Sequence, residues 1–289
     1  MVKSNIKTQK FVTYAVKYLF LTAVLFFTVI PLIYTVMSAF KTNTEIMTHP
    51  EAIFPIEPTL DNFRQAIQSE DFNVLKMFWN SLWYSTCCVA ITVTASSLLG
   101  YVFARGGGFP GSKVIFAAFS SLMFVSFGSI TIYAVFEVLN LVHLSDSLWG
   151  LVVMKIFSVG IINVYLVRSY IRTLPTSLDE AAEIDGCSFI GIFFKIILPL
   201  LKPIIATITI LAFNGSWNDY LMPTLFTISR PDQYTLIVGI IKLKNSGTAA
   251  ANWNLMLAGA TVALIPIFVI YAFCNKYFVE GLTNGAVKG

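Results

Sequence analysis

Catalysis and metal binding need ionisable, ligating or nucleophilic side chains at workable spacings, and this chain offers few of them. Its two histidines, His49 and His143, stand far apart with no cysteine or paired carboxylate at ligand spacing, so no metal site is expected. Cys87 and Cys88 are neighbours while Cys187 and Cys274 stand alone, a pattern that makes no disulfide framework. The run RGGGFPGSK from Arg105 to Lys113 invites comparison with a phosphate-cradling loop, but the match fails on order. Such a loop needs Gly-Lys-Ser/Thr after four intervening residues, whereas here Ser112 precedes Lys113. There is no His pair, nucleophile motif or metal cluster, so no catalytic residue is assigned and no ATP-binding machinery of the chain's own is recognised.

Two polar clusters remain. The first is SLDEAAEIDG, from Ser177 to Gly186, which holds four of the chain's fifteen acids. Pro175 blocks helix continuation from upstream, and Ser177 with Glu180 three residues on fits a capping box. Asp179, Glu180 and Glu183 then complement the helix N-terminus, and Asp185-Gly186 stops the helix because glycine accepts a left-handed cap. Two turns are marginal in isolation, so this helix is expected to need a partner surface, with Ala181 and Ala182 small enough to let that surface approach closely. An apolar segment follows, and Pro199 and Pro203 mark re-entry into apolar sequence. The second cluster, Asn214-Gly215-Ser216-Trp217-Asn218-Asp219, interrupts a long apolar run. Polar groups within such a run usually face a bundle interior or a cavity, with contacts to neighbouring helices or another subunit as the alternative.

Both clusters must be positioned by elements that are otherwise almost free of charge. The 289 residues are 56% hydrophobic and 12% charged, with mean hydropathy +0.76, against about 45–50% and about 25% in a soluble domain. Six stretches reach the roughly 20 apolar residues that a bilayer span needs: 18–40, 77–104, 114–136, 148–167, 203–227 and 253–275. The expected fold class is all-α, a polytopic membrane protein with six transmembrane helices. A segment 1–17 precedes the membrane domain 18–275, which contains the loop 168–202, and a tail 276–289 follows. With the N-terminus inside, twelve of the nineteen Lys and Arg fall on the cytoplasmic side, six outside, and Lys155 within a span. Both termini are therefore expected to be cytoplasmic. The net charge of +4 is this inside bias, so it calls for no nucleic-acid partner.

The first span is too long for the roughly 7–15-residue core of a secretory signal and lacks a small-residue cleavage site, so it is read as retained. In the outside loop from Lys41 to Lys76, prolines break the first half and Asp61 is expected to cap a short helix. Lys155 is expected to snorkel outward, with pairing to an acid in an assembly as the alternative.

The spacing Glu180-Ala181-Ala182, three residues, Gly186, nine residues, Ile196, one residue, Leu198-Pro199 resembles the EAA loop of ABC importer permeases at every specified position. Trp217-Asn218-Asp219-Tyr220, Tyr277 to Thr283 and Gly285 to Gly289 further resemble the maltose-type carbohydrate branch, on the side of its shorter, six-span permease. The resemblance covers essentially the whole chain. It implies a type I ABC importer permease fold in the bacterial cytoplasmic membrane, surrounded by lipid. It also implies a sister permease forming a heterodimer, two copies of an ABC ATPase, an extracytoplasmic solute-binding protein, and a sugar or oligosaccharide substrate. No cofactor is expected on this chain; ATP and Mg belong to the ATPase. By the same resemblance Glu180, Ala181, Ala182, Asp185 and Gly186, with Ile196, Leu198 and Pro199, couple to the ATPase. Asn214, Trp217, Asn218, Asp219 and Tyr220 border the substrate pathway, and Asn245, Ser246, Gly247 and Thr248 face the binding protein. The C-terminal tail, Gly285 to Gly289, offers a second ATPase contact. An ion-coupled secondary transporter of a small polar solute is the competing reading. It needs intramembrane acids, for which Asp219 is the one good candidate, and two inverted halves, of which there is no sign.

Overall fold

The computed structural model describes residues 2–106, 111–124, 130–158, 160–246 and 252–286, with side chains from 11 to 276. Every regular element among them is helical. In chain order these are α1 (Val2–Ser38), α2 (Asn43–Thr48), α3 (Asp61–Gln68), α4 (Val74–Arg105), α5 (Ser112–Ser121), α6 (Ile130–Leu141), α7 (Leu148–Phe157) and α8 (Ile161–Ile171). Then come α9 (Ser177–Ile184), α10 (Phe189–Ile192), a π-helical stretch (Phe193–Ile197), α11 (Leu198–Leu200), α12 (Lys202–Trp217), α13 (Leu221–Phe226), α14 (Leu236–Asn245) and α15 (Trp253–Ala286). Among the described residues, Phe11–Ser38, Val74–Arg105 and Trp253–Lys276 are each long and apolar enough to cross a membrane, and two bent helix pairs raise the number of candidate spans to five.

The expected stretches are less continuous than their hydropathy suggests. The third, 114–136, holds two short apolar helices, Ser112–Phe124 and Ile130–Leu141, with 125–129 outside the described residues. The fourth, 148–167, contains the end of α7 at Phe157 and the start of α8 at Ile161. The fifth, 203–227, breaks between Trp217 and Leu221 because local side chains compete with the helix ladder. Asn218 Nδ2 donates to the Asn214 carbonyl and Oδ1, and Asp219 Oδ1 accepts from Met222 N at the start of α13.

The chain divides into two compact units. The first comprises Met1–Asn73 and Ile240–Val262. Its loop after α1 is pinned by buried polar groups. Lys41 is fully buried, its ammonium bonding the Ala52 carbonyl beneath the Tyr34 ring. Glu45 accepts from Ile56 N at 2.7 Å. Asn62 donates to the carbonyls of Ala39 and Lys41 at 2.7 Å each, and accepts from Asn254 at 2.9 Å. Asp61 begins α3 as expected but does not cap it: Leu60 occupies the cap position, and the Thr59 hydroxyl accepts from Asp61 N at 3.1 Å.

The second unit comprises Val74–Gly239 and Ala263–Gly289, with α4 packed against α7, α8 and α12. Small side chains recur along α4 at intervals of three and four residues, and Ser81, Ser85, Cys88, Thr92, Ser96 and Gly100 are all buried. Such a face lets helix backbones approach closely. At Gly100 the approach reaches its limit, since a Cβ there would lie 2.5 Å from Val167 Cγ1 on α8.

Candidate functional site

The EAA segment forms α9, and both its ends differ instructively from a generic helix. Ser177 does not cap it. Thr176 occupies the cap position in right-handed helical conformation, and its carbonyl accepts from Asp179 N and Glu180 N at 2.9 and 3.1 Å. The capping box is therefore absent, because a cap side chain needs extended backbone to turn back on its helix. The C-terminus is a Schellman motif: Cys187 N donates to the Ala182 carbonyl at 2.9 Å, and Gly186 N to that of Glu183 at 3.0 Å. Gly186 closes it at φ +79°.

One face of α9 is anchored within the chain. Arg105, the last residue of α4, places Nε 3.0 Å from Asp179 Oδ2, with the two side chains only 11% and 13% exposed. The same guanidinium donates to the Leu174 carbonyl at 2.7 Å. Ala182 is 4% exposed and belongs to a core with Tyr101, Val167, Ile171, Ile192 and Phe193. This corrects the expectation that both alanines meet another protein, since Ala182 is already covered by its own chain. Glu180, Ala181, Glu183, Ile184, Asp185 and Gly186 are exposed, and the Ile184 side chain is 87% accessible.

The segment after α9 is tied to the same scaffold. Tyr101 stacks on Phe189 at 4.5 Å and donates its hydroxyl to the Phe189 carbonyl at 3.2 Å. Ile196 and Leu198 are half-buried against the core around Ile197, while Pro199 is exposed. Pro199 has no N–H to give the Lys195 carbonyl, and the turn before it widens into the π-helical stretch Phe193–Ile197. Phe189–Leu200 then meets Lys202–Trp217 at a bend of 78°. Arg168 secures the neighbouring helix ends, donating to the Phe103 carbonyl at 3.1 Å and lying 3.9 Å over the Phe116 ring.

The second polar cluster is split by its burial. Trp217 is 4% exposed, donates Nε1–H to the Ala263 carbonyl at 3.1 Å and stacks on Phe213. Its ring is occupied by the core and offers no platform for a solute. Asn214 and Asn218 are exposed and bonded to each other, and Tyr220 is half-buried. Asp219 alone of the five enters a polar cavity of about 280 Å³, together with Tyr84, Thr92, Lys155, Asn163, Gly215 and Ser216. Lys155 thus points inward, against the expectation of outward snorkelling, because an acid and several hydroxyls await it there. A lone cation in an apolar run is the signal that identifies it. No local pattern could have paired Arg105 with Asp179.

Of the loop residues, Asn245 ends α14 and is exposed, and Ser246 bonds the Leu243 carbonyl. Gly247 and Thr248 lie outside the described residues, as do 287–289 of the tail. Upstream, Arg230 and Asp232 make a two-pronged pair at 3.1 and 3.2 Å. The hydrogen bond from Arg230 holds the Asp232 carboxyl below its ordinary range.

The chain is similar to known transport permeases along most of its length. The arabinooligosaccharides transport system permease protein AraQ of Halalkalibacterium halodurans is 34% identical over 266 residues, covering 91% of this chain and 92% of that one. The galactooligosaccharides transport system permease protein GanQ of Bacillus subtilis is 31% identical over 288 residues, 99% of each chain. The maltodextrin transport system permease protein MdxG of the same organism is 32% identical over 286 residues, 99% of this chain and all of that one. In fold, the chain matches a bacterial ABC transporter involved in the import of the acidic polysaccharide alginate. The TM-score is 0.79 at 21% identity, over 92% of this chain and 96% of that one. The family model for the inner membrane component of binding-protein-dependent transport systems matches residues 96–284, a stretch that holds α9 and, of the cavity walls, Lys155, Asn163, Gly215, Ser216 and Asp219, and the chain belongs to that family.

Proposed function

We propose that the chain is the permease subunit of an ATP-driven carbohydrate importer and forms half of its translocation pathway with a sister permease. Relatives named for arabinooligosaccharides, galactooligosaccharides and maltodextrin support an oligosaccharide substrate. The chain spans the bacterial cytoplasmic membrane six times with both termini inside. Two copies of an ABC ATPase, which bind the ATP and Mg, sit beneath the heterodimer, and a solute-binding protein delivers sugar from outside. The chain itself is non-catalytic.

The observation that carries this reading is the two-faced α9. Ala182 and Asp179 tie one side to the permease core, while Glu180, Ala181, Ile184, Asp185 and Gly186 are open on the other. A short helix with an open face suits a groove on the ATPase. Closure of the ATPase dimer then moves α9, and through Arg105 and Tyr101 it moves α4. Coupling needs ATP and loaded binding protein to favour the same state, since a ligand indifferent between two states shifts neither. The exposed end of α14, with Asn245 and Ser246 and the adjoining Gly247 and Thr248, faces the binding protein. Asn214, Asn218, Asp219 and Tyr220 border the sugar path, with Trp217 holding their helix in place.

The test is affinity purification of the tagged chain from its own organism in mild detergent, followed by reconstitution. A sister permease and an ATPase should co-purify, and sugar-loaded binding protein should stimulate ATP hydrolysis. A chain that purifies alone and transports without them would refute the proposal.

A further inference from the structure

The cavity that collects Asp219 and Lys155 has chemistry that α9 does not use. Four helices contribute to it: Tyr84 and Thr92 from α4, Lys155 from α7, Asn163 from α8, and Gly215 and Ser216 from α12, with Asp219 in the break that follows. Asp219 Oδ1 accepts from Met222 N at 3.3 Å and shares the cavity wall with Tyr84 and Lys155, but no direct ion pair joins the two charges across the cavity. Desolvating two charges is costly, and only close contact or additional hydrogen bonds repay it. Ionisable groups at such depth usually serve a ligand or ion path.

A sugar hydroxyl both donates and accepts, so one ring between these walls satisfies the ammonium, which only donates, and the carboxylate, which only accepts. Size points the same way. A volume of about 280 Å³ lies at the lower edge of the roughly 300–1,000 Å³ of small-molecule pockets, room for one sugar residue and not for a whole oligosaccharide. Gly215 widens the space, for a Cβ built there meets nothing within 4 Å. Its lack of a side chain therefore leaves room in the cavity and is not demanded by helix packing. The walls carry one positive and one negative charge, a balance that matches an uncharged sugar residue.

We infer that Lys155, Asn163 and Asp219 form a subsite for a single uncharged sugar residue on this subunit, read as the oligosaccharide passes. The inference rests on the proposed role of the chain in sugar import, and its test separates the two. The complex of this chain, its sister permease, ATPase and binding protein is reconstituted in vesicles with labelled arabino-, galacto- and malto-oligosaccharides. Uptake of none of them by the unaltered complex would overturn the importer reading and this one with it. With uptake established, Lys155→Met and Asp219→Asn should each raise KM about tenfold, the loss of one charge-assisted hydrogen bond, and the double variant should be worse than either. Gly215→Leu, which fills open space, should block uptake while the complex still assembles. If the double variant recovers uptake, the two charges serve only each other, and the subsite is refuted. Normal uptake by Gly215→Leu refutes it equally.

Discussion

Gly186 shows how much a single residue can decide here. At φ +79° it occupies the left-handed region, and a Cβ added to it would meet nothing within 4 Å. The glycine is therefore required by backbone conformation and not by crowding. Valine at this position incurs the left-handed penalty of about 1–2 kcal/mol and loosens the bonds that close α9, whereas asparagine tolerates that region. Gly186→Val should lower oligosaccharide uptake about fivefold or more per inserted permease, and Gly186→Asn should stay within about twofold of the parent. Equal loss in both would show that the ATPase groove itself rejects any side chain at Gly186, so that close approach and not the backbone conformation requires the glycine. Trp217 teaches the converse lesson. Its neighbours Asn218 and Asp219 suggest a sugar platform, yet its indole N–H is spent on Ala263 and its ring on Phe213.

At the scale of elements, α9 can transmit motion only if it is fastened to a span, and the largely buried Arg105–Asp179 pair is its charged fastening to α4. Breaking a largely buried pair by removing one partner costs on the order of 3 kcal/mol. Arg105→Asp or Asp179→Arg should therefore uncouple the transporter, with uptake falling at least tenfold while ATP hydrolysis persists without sugar-loaded binding protein. The exchange variant carrying both substitutions restores opposite charges and should recover part of the coupling. No recovery would assign the loss to the guanidinium's other bond, to the Leu174 carbonyl. The sequence conveys α9 well at its ends, because Pro175 and Gly186 act through local backbone geometry. It does not convey which face is covered, since Ala181 and Ala182 are the same residue type and only the packing of Tyr101, Val167 and Ile192 distinguishes them. Long helices such as α4 follow directly from apolar length. The breaks after Phe157 and Trp217 do not, because hydropathy counts Asn218 and Asp219 as two polar residues without asking what they bond.

For the whole molecule the question is where the energy for transport enters. The chain places two charges, Lys155 and Asp219, in one cavity, and an ion-coupled carrier would use such a pair to bind and release a proton. An importer driven by a separate ATPase would instead receive its energy at α9, whose exposed face carries Glu180, Ile184 and Asp185. Membership of the binding-protein-dependent family favours the second route, and the two routes differ in a single measurement. With the catalytic acid of the partner ATPase replaced, uptake by the intact complex should fall to background while a proton gradient is maintained, and collapsing that gradient with ATP present should leave uptake unchanged. Asp219→Asn separates the routes further: an importer keeps its ATP dependence at raised KM, whereas an ion-coupled carrier loses its response to the gradient. Uptake that continues with the ATPase inactive would move the energy input from α9 to the cavity and leave the helix with only a structural role.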